Sequence, residues 1–168
     1  PILHPGRIEN LCKKRLCNFR PELESGILRR SYCIHAAIHA ASKCGPLFFI
    51  TTFKSYANAW CTSRRMRESI RLQCFFACPC EDHILHYLSC NILWTIVANH
   101  ALLALDDRIG VRLCLYDHEP ARFHLFAVAW HVYYSIKINH RVIMTAATLP
   151  SNYNTILTIA SQLDTAHA

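Results

Sequence analysis

The sequence predicts a mainly α protein, a small helical domain preceded by an irregular basic N-terminal arm. Three observations carry that expectation. Hydrophobic residues make up 52% of the 168 positions, enough for a core. Four glycines and seven prolines are too few for a many-turned sandwich or a low-complexity tract. Alanine, leucine and isoleucine recur at helical spacing through much of the chain.

Taken in order, residues 1–30 show no sustained periodicity, and Cys12-Lys13-Lys14-Arg15-Leu16-Cys17 lies between Pro5-Gly6 and Pro21, which suggests the arm. Ser31 is placed to cap a helix running to about Lys43 and stopped by Gly45-Pro46. The apolar run 47–53 fits a strand or a helix. Thr62 or Ser63 can cap a helix carrying Arg64, Arg65, Arg67 and Arg71. Asp82 can cap a longer one, to about Leu105, with Leu85, Leu88, Ile92, Ile96 and Leu103 on its apolar face. Pro120 suits the first turn of a helix over 121–137, whose Phe123, Phe126, Trp130, Tyr133 and Tyr134 form an aromatic face, with Asn139 at its end. A last helix is expected over 152–163. These elements group as a basic arm and short helix (1–46), a central helical domain (47–140) and a helical extension (141–168).

Ten cysteines would suit a secreted disulfide scaffold, but no charged segment followed by an apolar one opens the chain, so an intracellular protein, nuclear or cytoplasmic and not secreted, is expected. The start at Pro1 and the presence of only Met66 and Met144 suggest a fragment or a processed product. No stretch is long and apolar enough to predict a membrane span.

Four of the cysteines crowd between positions 74 and 90 beside two histidines. Cys74, Cys78, His86 and Cys90 give the pattern C-x3-C-x7-H-x3-C, a CCHC zinc knuckle. A tetrahedral ion needs four soft or borderline donors, and each close pair closes a small chelate loop at low entropic cost. A Cys3His set leaves no open position for water, so structural Zn²⁺ is expected, and Arg71 would offset the net negative charge. Cys80 is an alternative ligand that could replace Cys78, and His83 is a weaker candidate.

Net charge is +7, and the first 72 residues hold 13 of the 18 Lys and Arg against 4 of the 11 Asp and Glu. Thirteen of the cations are arginine, which grips phosphate with two parallel donors and stacks on bases. RNA or DNA is therefore the expected partner, through Arg64, Arg65, Arg67 and Arg71 with Tyr56 and Trp60 beside them. Other proteins are a further expected partner, through the aromatic helix 121–137.

Between about Tyr56 and Lys137 the chain resembles the zinc-knuckle region that follows the polymerase and thumb domains in reverse transcriptases of non-LTR retrotransposons, particularly the divergent protist type. The resemblance rests on Asn58-Ala59-Trp60-Cys61-Thr62-Ser63-Arg64-Arg65-Met66, the cysteine pair, Asp82, His86-Tyr87-Leu88-Ser89-Cys90 with Leu93-Trp94, and Ala129-Trp130-His131-Val132-Tyr133-Tyr134-Ser135-Ile136-Lys137. It departs from the family in the extra Cys80 and the short, glycine-free loop before Asp82. It implies a region that helps hold template RNA or target DNA; the parent protein would be an RNA-directed DNA polymerase whose catalytic domain is not in this sequence. The alternative expectation is a helical interaction subunit of a larger assembly, zinc-stapled or metal-free.

No catalytic residue is expected. Asp106-Asp107 lacks the preceding aromatic residue and the hairpin of a polymerase metal site, and His35 and His39 lack the acidic residue of a metalloprotease helix. Cys78-Pro79-Cys80 lacks the spacing of a thioredoxin-like pair.

Overall fold

A computed structural model describes residues 5–19, 32–70 and 72–139. Among the described residues it is mainly helical, with α1 (Pro5–Phe19), α2 (Tyr32–Cys44), α3 (Pro46–Tyr56), α4 (Ser63–Met66), α5 (Ile84–Ser89), α6 (Asn91–Ala101), α7 (Ile109–Arg112) and α8 (Pro120–Asn139). No strand accompanies them, only one antiparallel bridge between Gln73 and Glu81. None of the described helices is long and apolar enough to cross a membrane. The helix expected over 152–163 and the extension 141–168 lie outside the described residues.

The chain divides into two compact units. Unit 1 holds residues 1–59 and 107–127; unit 2 holds 60–106 and 128–168.

In unit 1, the arm expected to be irregular is a helix where it is described. Cys12 and Leu16, four residues apart, are both fully buried, while Lys14 and Arg15 are exposed. With only those two positions anchoring it, the stripe is too narrow to stand out from the surrounding basic residues. The second helix buries Ile34, Ala37 and Ala41 at spacings of three and four, a mostly small-residue stripe that lets α3 pack closely on α2. Gly45 lies between them at φ 133°, where a side chain would strain the backbone, and Pro46 follows as the first residue of α3. The ambiguous run 47–53 is thus helical. Tyr56, fully buried at the end of α3, donates from its hydroxyl to Leu113 O at 2.6 Å. Arg112 is buried and donates to the exposed carboxylate of Asp107 at 2.7 Å, which gives that aspartate a structural partner.

Unit 2 combines the short helices α4 and α5 with α6 and the last part of α8. Its core is aromatic: the Tyr133 ring lies 5.0 Å from Trp60, 4.5 Å from Tyr87 and 6.1 Å from Phe75. The Trp94 Nε1 donates to Tyr87 O at 2.9 Å. The aromatic face expected on 121–137 is therefore largely core, since Phe123, Phe126, Trp130 and Tyr133 are all buried.

Two helices differ from expectation. The basic helix after Thr62 is a single turn: Thr62 caps it by accepting from Arg65 N at 3.3 Å, and Arg67 ends it by taking the left-handed conformation, φ 53°. Arg71 lies outside the described residues. The helix expected from Asp82 to about Leu105 is two helices that meet at Cys90, and it ends at Ala101 because Leu102 is left-handed, φ 52°. His83 occupies the cap position of α5, its side chain making no capping bond, and Asp82 does something else.

Asp82 is fully buried and its carboxylate accepts from Ser63 N at 2.7 Å, Lys137 Nζ at 3.1 Å and Tyr133 Oη at 3.3 Å. Lys137 also pairs with Glu68 at 3.0 Å. A buried carboxylate is tolerated only when it is paired and hydrogen-bonded, and these partners provide both. Burial, then the neighbouring Asp82, pushes the Tyr133 hydroxyl well above its usual range, so it stays a donor. The loop before α5, the turn of α4 and the end of α8 are thereby fastened at one point.

Candidate metal centre

The segment 72–82 folds back on itself: Cys74 N donates to Cys80 O at 2.7 Å, and Asp82 N donates to Leu72 O at 2.8 Å. At its tip, Ala77 adopts φ 58° and its N donates to Cys74 O at 3.2 Å, turning the chain so that Cys78 comes back toward Cys74. Between the two cysteines, Phe75 and Phe76 are fully buried and anchor the tip in the aromatic core. His86 comes from the middle of α5, and Cys90 from the junction between α5 and α6.

These four residues come together: one donor atom from each of Cys74, Cys78, His86 and Cys90 lies within 4.8 Å of the other three. The Cys90 Sγ lies 3.6 Å from that of Cys78 and 4.0 Å from that of Cys74. A tetrahedral ion with metal–sulfur bonds of about 2.3 Å sets its sulfurs about 3.8 Å apart, so the observed separations bracket that edge. They are far beyond the bonding distance of a disulfide, and none of the ten cysteines is in a disulfide. The His86 Nε2 is buried with no hydrogen-bond partner, which is compatible with a place beside an ion. Donor chemistry, spacing and the orphaned nitrogen all fit: the cluster could hold a metal ion.

The surroundings favour thiolates. Phe76 N donates to Cys74 Sγ at 3.4 Å, and Leu93 N to Cys90 Sγ at 3.5 Å. The second bond makes Cys90 the N-cap of α6, so its sulfur sits where the helix dipole favours negative charge. The three sulfurs differ in how readily each carries charge. The hydrogen bond from Cys90, helped by His86, brings the Cys74 thiol down to about 4 against the opposing effect of burial. Burial pushes Cys78 up to about 11, and the bond to Cys74, with burial, pushes Cys90 far up. A cation at the centre would remove the reason for two of them to stay protonated.

Cys80 stands outside the quartet. Its side chain is exposed, and its contribution is the carbonyl that pairs with Cys74 N. His83 is outside it too; His35 and His39 stack on each other, ring centres 6.1 Å apart, and His35 Nε2 lies 3.9 Å from Glu9 Oε1.

The residues expected to contact nucleic acid divide. Arg64, Arg65 and Arg67 are exposed, with Arg64 Nη1 3.2 Å from Glu81 Oε2. Tyr56 and Trp60 are fully buried or nearly so, which corrects their assignment: both rings are core, and neither presents a face on which a base could stack. The Asp82–Lys137–Glu68 group had no signal in the sequence, since a lysine in the last turn of a helix is the ordinary complement of the helix dipole.

The chain matches no protein-family model, no curated protein and no solved structure.

Proposed function

We propose that Cys74, Cys78, His86 and Cys90 bind one structural zinc ion, and that the region it staples is a nucleic-acid-binding accessory region without catalysis of its own, of the kind that follows the polymerase in non-LTR retroelement reverse transcriptases. The observation that carries the metal reading is the approach of one donor atom from each of the four residues to within 4.8 Å, with the buried Nε2 of the same His86 left without a hydrogen bond. Zinc is preferred over iron because one donor is histidine, and the complete Cys3His set leaves no position for a catalytic water. When bound, the ion supplies charge neutralisation and a rigid tie between the hairpin and two helices.

The nucleic-acid reading is supported by the basic first half of the chain and by three exposed arginines on and just after α4. With Tyr56 and Trp60 in the core, their role is phosphate contact rather than base stacking. Metal analysis of the purified chain should find one zinc, absent in Cys90→Ser and retained in Cys80→Ser. In the same preparation, Arg64→Ala with Arg67→Ala should weaken RNA or DNA binding and reduce the slope of log affinity against log salt by about 2. A metal-free wild type removes the first half of the proposal; unchanged binding by a zinc-loaded double variant removes the second.

One observation favours the alternative of a helical interaction subunit. In unit 1, Phe49 and Ile50 of α3 and Leu11 of α1 are exposed, at 38%, 43% and 47%. Under that reading the partner is a protein and nucleic acid has no effect on the chain.

A further inference from the structure

Unit 2 has a pocket of about 540 Å³, within the range of about 300–1,000 Å³ typical of small-ligand sites. Met66, Leu72, Phe75 and Ile138 give it apolar walls, and Glu68 and Lys137 place a carboxylate and an ammonium in its lining. Resting on the nucleic-acid reading above, we infer that this pocket receives one unstacked base of a single strand whose phosphates lie on Arg65 and Arg67.

The charge distribution separates what can enter from what must stay at the rim. Lys137 is bonded to two carboxylates, Asp82 and Glu68, so the group is net negative and repels a phosphate. A flat, neutral group with donors and acceptors on its edge meets no such penalty. Lys137 has three N–H donors, shared among Asp82 Oδ2 at 3.1 Å and the two Glu68 oxygens at 3.0 and 3.2 Å, so an acceptor in the pocket can take the place of one of the two Glu68 contacts. Glu68, with its own remaining acceptor capacity, lies beside it at 3.0 Å, so a donor and an acceptor are adjacent as they are along the edge of a base. The Lys137 ammonium already rests 5.6 Å from the centre of the Phe75 ring, so the polar and aromatic components are contiguous.

Anionic groups are held next door. Met66, a wall of the pocket and 55% exposed, lies in the chain between Arg65 and Arg67, both exposed. The left-handed turn at Arg67 ends α4 there, so the arginines and the pocket share one short stretch of chain. Arg65 and Arg67 flank that wall residue in the chain, where phosphate contacts would bring a neighbouring base toward the pocket. The same arginines argue against an apolar peptide as occupant. A duplex keeps its bases stacked and paired, so it is excluded from the pocket while still able to touch the arginines.

The test compares the zinc-loaded full chain on 12-nucleotide single strands of mixed sequence, as RNA and as DNA, on an abasic strand of equal charge and on a duplex. Single strands carrying bases are expected to bind about tenfold more tightly than the abasic strand. Ile138→Trp, at a half-exposed position of the wall, should fill the pocket and bring the based strands down to the abasic level without changing the salt slope. Met66→Trp serves as the second filling variant, and zinc content reports that each is folded. Equal affinity for based and abasic strands overturns the inference while leaving arginine-mediated binding intact, as does a filled pocket that binds based strands as well as wild type. Absence of binding to every nucleic acid overturns the reading beneath it and the inference together, and capture of an acidic peptide in place of the strands does the same.

Discussion

Unit 1 is held by helices of 11 to 15 residues, α1 to α3, whose apolar stripes pack against one another. Unit 2 includes α4 and α5, of four and six residues, which are too short to be stable by themselves. What holds these short pieces is a set of point ties, an aromatic cluster and a buried carboxylate with its lysine, and beside them stand the four side chains that could hold a metal ion. A distributed apolar interface loses a little with each deletion, whereas a point tie fails all at once.

The sharpest way to break that comparison is to remove the metal. Chelation, or Cys90→Ser, should abolish hydrogen-exchange protection in 72–100 while leaving that of α2 and α3 nearly unchanged; uniform loss of protection would mean that both units depend on the ion. Acid should do the same with a defined slope. Cys74, down at about 4, is already ionised near neutrality, while Cys78, up at about 11, and Cys90, also raised, still hold protons in the metal-free protein. Binding expels two protons, so affinity falls about 100-fold for each pH unit lost between about pH 8 and 6.

A smaller effect is expected at the carboxylate. Asp82→Asn removes the charge facing Lys137 and should cost about 3 kcal/mol in denaturant unfolding of the metal-bound protein, with zinc still bound at saturation. A cost below about 1 kcal/mol would show that Glu68 alone satisfies the lysine. The smallest effect belongs to the distributed interface: Ile34→Val in α2 should lower stability by about 1 kcal/mol and leave metal affinity unchanged. A weakened metal site in that variant would show that the two units are energetically one.

The helical class, α2 and α8 were legible because punctuation marks them: Gly45-Pro46 after the first and Pro120 before the second. The four residues that converge were legible because their spacing places two chelating pairs close in sequence. Other features had no local signal. Cys90 breaks one helix and starts the next through its sulfur, and cysteine is not among the residues that usually announce a cap. The turn at Arg67 takes a left-handed conformation with no glycine to mark it. Tyr56 and Trp60 stand near arginines in sequence and looked available for stacking, but burial depends on what the rest of the chain packs over them, which no local pattern records. Asp82 had the right neighbours for a helix cap, and its buried partners, Tyr133 and Lys137, are more than fifty positions away.

Phe75 and Phe76 occupy the middle of the loop that carries Cys74 and Cys78, so the ligands cannot reach their positions unless those two rings have entered the core. Coordination and hydrophobic burial are therefore one thermodynamic event observed from two sides. Thermodynamic linkage then makes the metal a gauge of the interior: where the metal-free chain is mostly unfolded around the site, a change that loosens the packing around Tyr133 lowers the apparent metal affinity by the same free energy, and where it is mostly folded the affinity is unchanged. A titration with the ion would report the health of an aromatic core that the ion never touches.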